Sequence, residues 1–307
     1  MAKANRRLFL SGALGLAGAG AAKSGMSRSP SEITVSTVKE LVAAIGPDRT
    51  IKLKAGTYTL SDLDPDDRTQ YAYFTETGVA GHELIISGAD NLKILGEGSS
   101  SRILTQPRAA QVITFVNCRN VTLSNLEAGH SPEKGYCSGG VLSLRNCQNI
   151  SVNNSVLFGS GTLGIQARRV NNLVCKNTVI QECTEGILRI SLSKNFSFQG
   201  CQFTGNGQYD LVEVNASSGI SFLGCQFKNN FSEPPVIGFP DGRTFTAPSN
   251  SYKYYFFKAE QSDPIQLTDC TIADNRVENF VPAPEQVKLV NTRFSNNRFA
   301  LNSPDAK

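Results

Sequence analysis

The chain has 307 residues, 40% of them hydrophobic and 18% charged, which is enough apolar material for a large folded core. It contains no tryptophan, and its formal charge is +4. Without Lys3, Arg6 and Arg7 of the opening segment, 27 basic residues face 26 acidic ones, and the basic face that a nucleic-acid-binding protein needs is missing.

The first predicted element is a leader over residues 1–21. MAKANRRLFLSGALGLAGAGA has a basic start, an apolar Gly/Ala-rich middle too short to span a bilayer, and small residues Ala19 and Ala21 suited to cleavage. Its stretch Asn5-Arg6-Arg7-Leu8-Phe9-Leu10-Ser11 is similar to the bacterial twin-arginine export signal, from whose usual flanks Asn5 and Ser11 depart. A general secretory signal carrying two arginines is the alternative. Both imply a periplasmic or secreted protein. No other long apolar run follows, so no membrane span is expected.

Next comes TVKELVAAIGPDRTIKLKAGTYTL, residues 37–60. Val38, Leu41, Val42 and Ile45 have helical spacing, and Ile51 and Leu53 open the first strand. From Leu92 onward a repeat sets in. Its anchors are Leu92, Val121, Ile150, Leu173, Phe196, Ile220, Ile265 and Val287, with a period near 23 broken by excursions. Polar and apolar residues alternate after each anchor, as in Phe196/Phe198 and Ile220/Phe222, which is the period of a strand. Seven residues on stand Leu157, Ile180, Phe203, Phe227, Ile272 and Phe294; ten on, the last four are Asn206, Asn230, Asn275 and Asn297. Such rows predict a solenoid with one coil per repeat, coils about 4.8 Å apart, and the asparagines stacked inward at one corner. Cys201, Cys225 and Cys270 fall in one inward row, so the eight cysteines are expected to be mostly free and buried, although export alone would suggest disulfides.

With these rows the chain resembles the right-handed parallel β-helix superfamily that includes pectate lyases, polygalacturonases and alginate epimerases. The resemblance covers residues 33–300, with 301–307 as a C-terminal tail. It implies an all-β fold, a single-stranded right-handed parallel β-helix solenoid with an N-terminal capping helix, and an activity on carbohydrate. A nearer similarity is to a broad bacterial group of β-helix proteins, through GHSPEKGYCSGGVL and the following coil LFGSGTLGI. The catalytic signatures of the named enzymes are not intact. His130 is followed by Ser131, where a Gly-His-Gly element would continue with glycine. Asp64-Pro65-Asp66-Asp67-Arg68 echoes the Asp-Pro-His-Asp-Arg element of the epimerases but lacks its histidine, and reads as a solvated turn.

The candidate site is the strand that closes each coil. Its outward positions are predicted as Ser143, Gln166, Arg189, Glu213 and Lys258 in one column, and Arg145, Arg168, Ser191, Asn215 and Glu260 in the next. Two insertions, 128–140 and 231–255, leave the repeat at the same phase, about four coils or 19 Å apart. Tyr136, Tyr252, Tyr254 and Tyr255 would wall a polar floor between them. On this reading Lys258, Arg189 and Glu213 are the catalytic candidates, with Lys258 as a base whose pKa the arginines depress. Arg145, Arg168, Glu260, His130, Tyr252 and Tyr254 bind substrate. Two plainer readings stand beside it: Arg189, Glu213 and Lys258 as cross-strand ion pairs, and His130 as a surface loop residue. No metal-ligand spacing is present; calcium held by scattered loop oxygens stays open, with no motif behind it. The expected function is an exported monomer that binds, and cleaves or epimerises, an acidic polysaccharide. The alternative is a non-catalytic glycan-binding or structural solenoid of the envelope.

Overall fold

The computed structural model describes residues 31–77, 81–131, 138–159, 162–232 and 253–301, together with the backbone of two short strands, Val236–Gly238 and Thr244–Thr246. The leader and the tail 302–307 lie outside the described residues. Strands dominate, and they stack into three long sheets of 10, 9 and 8 strands. The middle coils contribute one strand to each sheet, the closing strands of the last two coils pair separately, and nearly every pairing is parallel; Ala72–Glu76 against His82–Ser87 is an antiparallel exception within the third sheet. The result is a parallel β-helix.

The predicted register holds row by row. Val121, Ile150, Leu173, Phe196 and Ile220 are successive partners in the first sheet, and Leu157, Ile180, Phe203, Phe227, Ile272 and Phe294 in the second. These residues face inward, so like side chains stack on like. Phe198 and Phe222 lie 4.8 Å apart between centroids, and Phe203 and Phe227 4.6 Å, both nearly parallel. Stacked rings at this spacing contribute about 0.5–1.5 kcal/mol beyond the area they bury.

The first end is closed by helix α1, Val38–Ala44, which buries Leu41, Val42 and Ala44. Thr37 caps it: its hydroxyl accepts from the Glu40 N–H at 3.2 Å, and the Glu40 carboxylate accepts from the Thr37 N–H at 3.1 Å. Ile45 is buried as well, but it is extended rather than helical and ends the helix.

Asparagine does two jobs here. Inside, Asn206, Asn230 and Asn275 are fully buried and Asn297 partly so. The Asn230 amide donates to the Phe203 carbonyl at 2.9 Å and to Asn275 Oδ1 at 3.0 Å, while its own oxygen accepts from the Asn206 backbone N–H at 3.1 Å. This is the predicted ladder. The second job is to turn the chain. At up to four bends of a coil the chain turns with φ between +47° and +67°, a left-handed conformation that costs most side chains about 1–2 kcal/mol. One such row reads Asp48, Asn91, Asn120, Asn149, Asn172 and Asn195; another reads Asn125, Asn154, Asn177, Gly200, Gly224, Asp269 and Asn291. Asparagine, aspartate and glycine tolerate the turn, which is why they punctuate the repeat.

Seven described cysteines are free and buried, and Cys137 lies outside the described residues. The Cys175 and Cys201 sulfurs stand 3.8 Å apart as thiol neighbours.

Candidate functional site

The third sheet brings the predicted columns together. Gln166, Arg189, Glu213 and Lys258 are successive partners, as are Arg145, Arg168, Ser191, Asn215 and Glu260. The surface is not uniform along its length. Ser143, predicted outward, is 1% exposed, and Thr114 beside it in the preceding coil is 0% exposed, so the column is covered at its N-terminal end. It opens only from Gln166 onward.

Charge along the open part is paired unevenly. Arg189 Nε donates to Glu213 Oε2 at 2.8 Å. Lys258 Nζ lies 3.4 Å from Asp210 and 3.2 Å from Glu260. Arg145 reaches Glu83 only at 4.0 Å, and the exposed Arg168 makes no ion pair among the described residues.

This arrangement corrects the assignment of Lys258 as a base. Burial by itself lowers its pKa, but the charges of Asp210 and Glu260 and their bonds to the ammonium outweigh burial, and the pKa is raised. Arg189 is turned to Glu213 and does not depress it. His130 is corrected as well. It closes the strand Glu127–His130 rather than a surface loop, is 2% exposed, and bonds the Ala110 carbonyl through Nε2 at 2.9 Å. Room for its ring comes from Gly159, where a Cβ would stand 2.9 Å from His130 Nδ1. Burial lowers the pKa of His130, and Nδ1 has no hydrogen-bond partner among the described residues.

Three residues at the strand entries were missed. Tyr209 and Asp210 precede Val212, and Glu185 stands one coil earlier, with the Tyr209 N–H donating to the Glu185 carbonyl at 3.2 Å. Asp210 Oδ1 accepts from the Tyr255 N–H at 2.8 Å. Burial raises the pKa of Asp210 against the pull of that N–H and of Lys258, and burial raises that of Glu185 against Arg189. Tyr254 packs edge-on to Tyr209 at 5.2 Å. Counting two or three residues further back from each strand would have found this row. Tyr136 and Tyr252 lie outside the described residues.

Two open concavities lie beside the strip, where the third sheet turns into the first. One of about 410 Å³ is lined by Arg169, Leu192, Lys194 and Ala216, and it adjoins another of about 800 Å³ that shares Ala216 and Ser218. Among the described residues no cluster of three or more His, Cys, Asp or Glu side chains is placed to hold a metal ion. No described helix is long and apolar enough to cross a membrane.

The fold is that of the right-handed parallel β-helix, pectate-lyase-like proteins. The family described as right handed beta helix region matches residues 102–238. A pectate lyase from Bacillus sp. N165, solved in complex with trigalacturonate, superposes with TM-score 0.53 at 10% identity, covering 90% of this chain and 84% of that one. An alginate lyase from Paenibacillus sp. FPU-7 gives 0.50 at 11% identity over 87% of this chain and 97% of that one. A pectin methylesterase from Aspergillus niger gives 0.51 at 11% identity over 90% and 88%. At such identities the likeness is one of fold. No curated protein sequence matches the chain.

Proposed function

We propose that this protein binds an acidic polysaccharide along the open part of the third sheet. One observation carries the reading: Arg145 and Arg168 are register partners in adjacent coils, both exposed, with only a 4.0 Å carboxylate near the first. Like charges opposite each other across strands repel, and a carboxylate lying between two guanidinium groups would relieve them with charge-assisted bonds. The enzymes of similar fold named above support this choice of ligand, since their names and bound ligand point to uronate polymers. Calorimetry with a galacturonate hexamer and its methyl ester tests it. Arg168→Ala should weaken binding of the acid by about 1.5–3 kcal/mol and leave the ester unaffected. Equal binding of both glycans, or no effect of the substitution, would sink the proposal.

Turnover has its own support, in the carboxyl groups of Asp210, beside Lys258, and of Glu185 one coil earlier, which feels the charge of Arg189. In this reading Glu185, whose pKa burial raises, gives its proton to the glycosidic oxygen as the C–O bond breaks, while ionised Asp210, paired with Lys258, takes a proton from the water whose oxygen joins the anomeric carbon. The proposed chemistry is hydrolysis; Lys258, whose pKa Asp210 and Glu260 raise, is not proposed as the base of an elimination. New reducing ends without unsaturated-uronate absorbance, lost in Asp210→Asn, are the expected result. Unsaturated products would overturn it. Export through the leader 1–21 belongs to the same reading, and a reporter fused behind that segment should leave the cytoplasm only with Arg6 and Arg7 intact.

A further inference from the structure

At the bend between the third and first sheets, the left-handed residues of successive coils are Gly88, Asn117, Asn146, Arg169, Leu192, Ala216 and Gln261. The row begins with the residues that suit this backbone and then abandons them for four coils. In the other three rows only Glu182 breaks the pattern of asparagine, aspartate and glycine. Leu192 is the least suited of all, with φ +52° and its side chain 45% exposed. It bears the strain of the turn and the exposure of an apolar side chain together, and neither is repaid by packing in the core.

These same coils line the open concavities. Arg169, Leu192, Lys194 and Ala216 border the smaller one, and Gln261 and Glu285 border the larger, which continues it. Arg169 and Lys194 are exposed and make no ion pair among the described residues. Arg169 follows Arg168 in the chain, so the cleft begins where the proposed binding strip ends. An apolar platform flanked by two unpaired cations fits a sugar ring that presents C–H bonds on one face and a carboxylate at its edge.

We propose that Leu192, Arg169 and Lys194 form a second contact surface for the acidic polysaccharide, continuing its site round the corner of the solenoid. The ring's C–H face lies on Leu192, and carboxylates of the bound chain meet Arg169 and Lys194. This rests on the function proposed above but uses none of the residues invoked there.

Leu192→Asn tests it with two readouts that move in opposite directions. Asparagine suits the left-handed turn and removes the exposed apolar group, so the melting temperature should rise. Affinity for the galacturonate hexamer should fall about tenfold, which is the loss of one well-packed apolar contact. Leu223→Asn, at another exposed leucine outside the cleft, should leave affinity unchanged. The double variant Arg169→Ala/Lys194→Ala should weaken binding of the acid and not of its methyl ester. Unchanged affinity in Leu192→Asn while Arg168→Ala weakens binding would overturn the corner and spare the strip. A wild-type protein that binds no acidic glycan would overturn both.

Discussion

His130 shows how a residue type misleads when its coil position is not known. A lone histidine beside an insertion reads as a surface group, yet it ends a strand under Gly159 and is closed off from water. Its burial has a consequence for stability. The unfolded imidazole takes a proton near its ordinary value of 6.5, whereas the folded one does so only at lower pH, because burial and the nearby Arg108 oppose the charge. Between those two values the unfolded state binds more protons, so stability falls as pH drops, by at most about 1.4 kcal/mol per pH unit. Thermal melts of wild type and His130→Leu over pH 7 to 5 should show a slope in the first that is reduced in the second. Parallel curves would mean that the ring is already solvated. Lys258 makes the complementary point: its neighbours Asp210 and Glu260 were in the sequence, but the 3.4 Å and 3.2 Å approaches that hold it as an ammonium follow from side-chain conformations that no repeat pattern specifies.

At the scale of the element, the rows were legible wherever a side chain faces inward. Leu157, Ile180, Phe203 and Phe227 announce themselves because the core accepts only apolar groups there, and the period follows. The bends were not legible in the same way. Asn149 and Asn230 are the same residue type, one tolerated at φ +56° and one buried for its hydrogen bonds, and composition cannot separate the two roles. Mutation can. Asn230→Leu takes a hydrogen-bond partner from the Phe203 carbonyl and from both the backbone and side-chain N–H of Asn206, and should cost about 1–3 kcal/mol in a denaturant melt. Asn149→Gly should be nearly neutral, whereas Asn149→Ala should cost about 1 kcal/mol through the backbone alone. Equal losses for alanine and glycine at Asn149 would show that the side-chain bond, rather than the turn, governs the outer row. The covering of Ser143 and the cleft beside Leu192 were illegible for a related reason: alternation tells which way a side chain points and nothing of what lies over it.

Across the whole molecule the two ends differ. The first is closed by α1, while the final coil exposes Leu289 and Val290 and leaves Val287, Phe294 and Phe299 only partly buried. In a solenoid each coil is held by its neighbours, so opening is expected to start at the less covered end and move inward. Hydrogen exchange should therefore be fastest in Val287–Val290, Arg293–Ser295 and Arg298–Leu301 and slowest in the middle coils. Uniform exchange would instead indicate a single cooperative unit. The cysteines bear on the whole in the same way: with the described thiols free, added reductant should leave the melting temperature unchanged, and a drop of several degrees would expose a disulfide.

The outer asparagine row has a direction. Asn91 donates to Asp48 at 2.7 Å, Asn120 to Asn91 at 2.8 Å, Asn149 to Asn120 at 2.9 Å and Asn172 to Asn149 at 3.0 Å, each amide giving its proton toward the N-terminal coil. A carboxylate only accepts, so Asp48 fixes which way the first amide faces, and each amide then fixes the next. The buried ladder runs the other way, from Asn206 through Asn230 and Asn275 to Asn297. The solenoid thus carries two opposed files of amide dipoles, one inside and one on its surface. One acidic side chain at position 48 sets the orientation of a surface file that spans five coils.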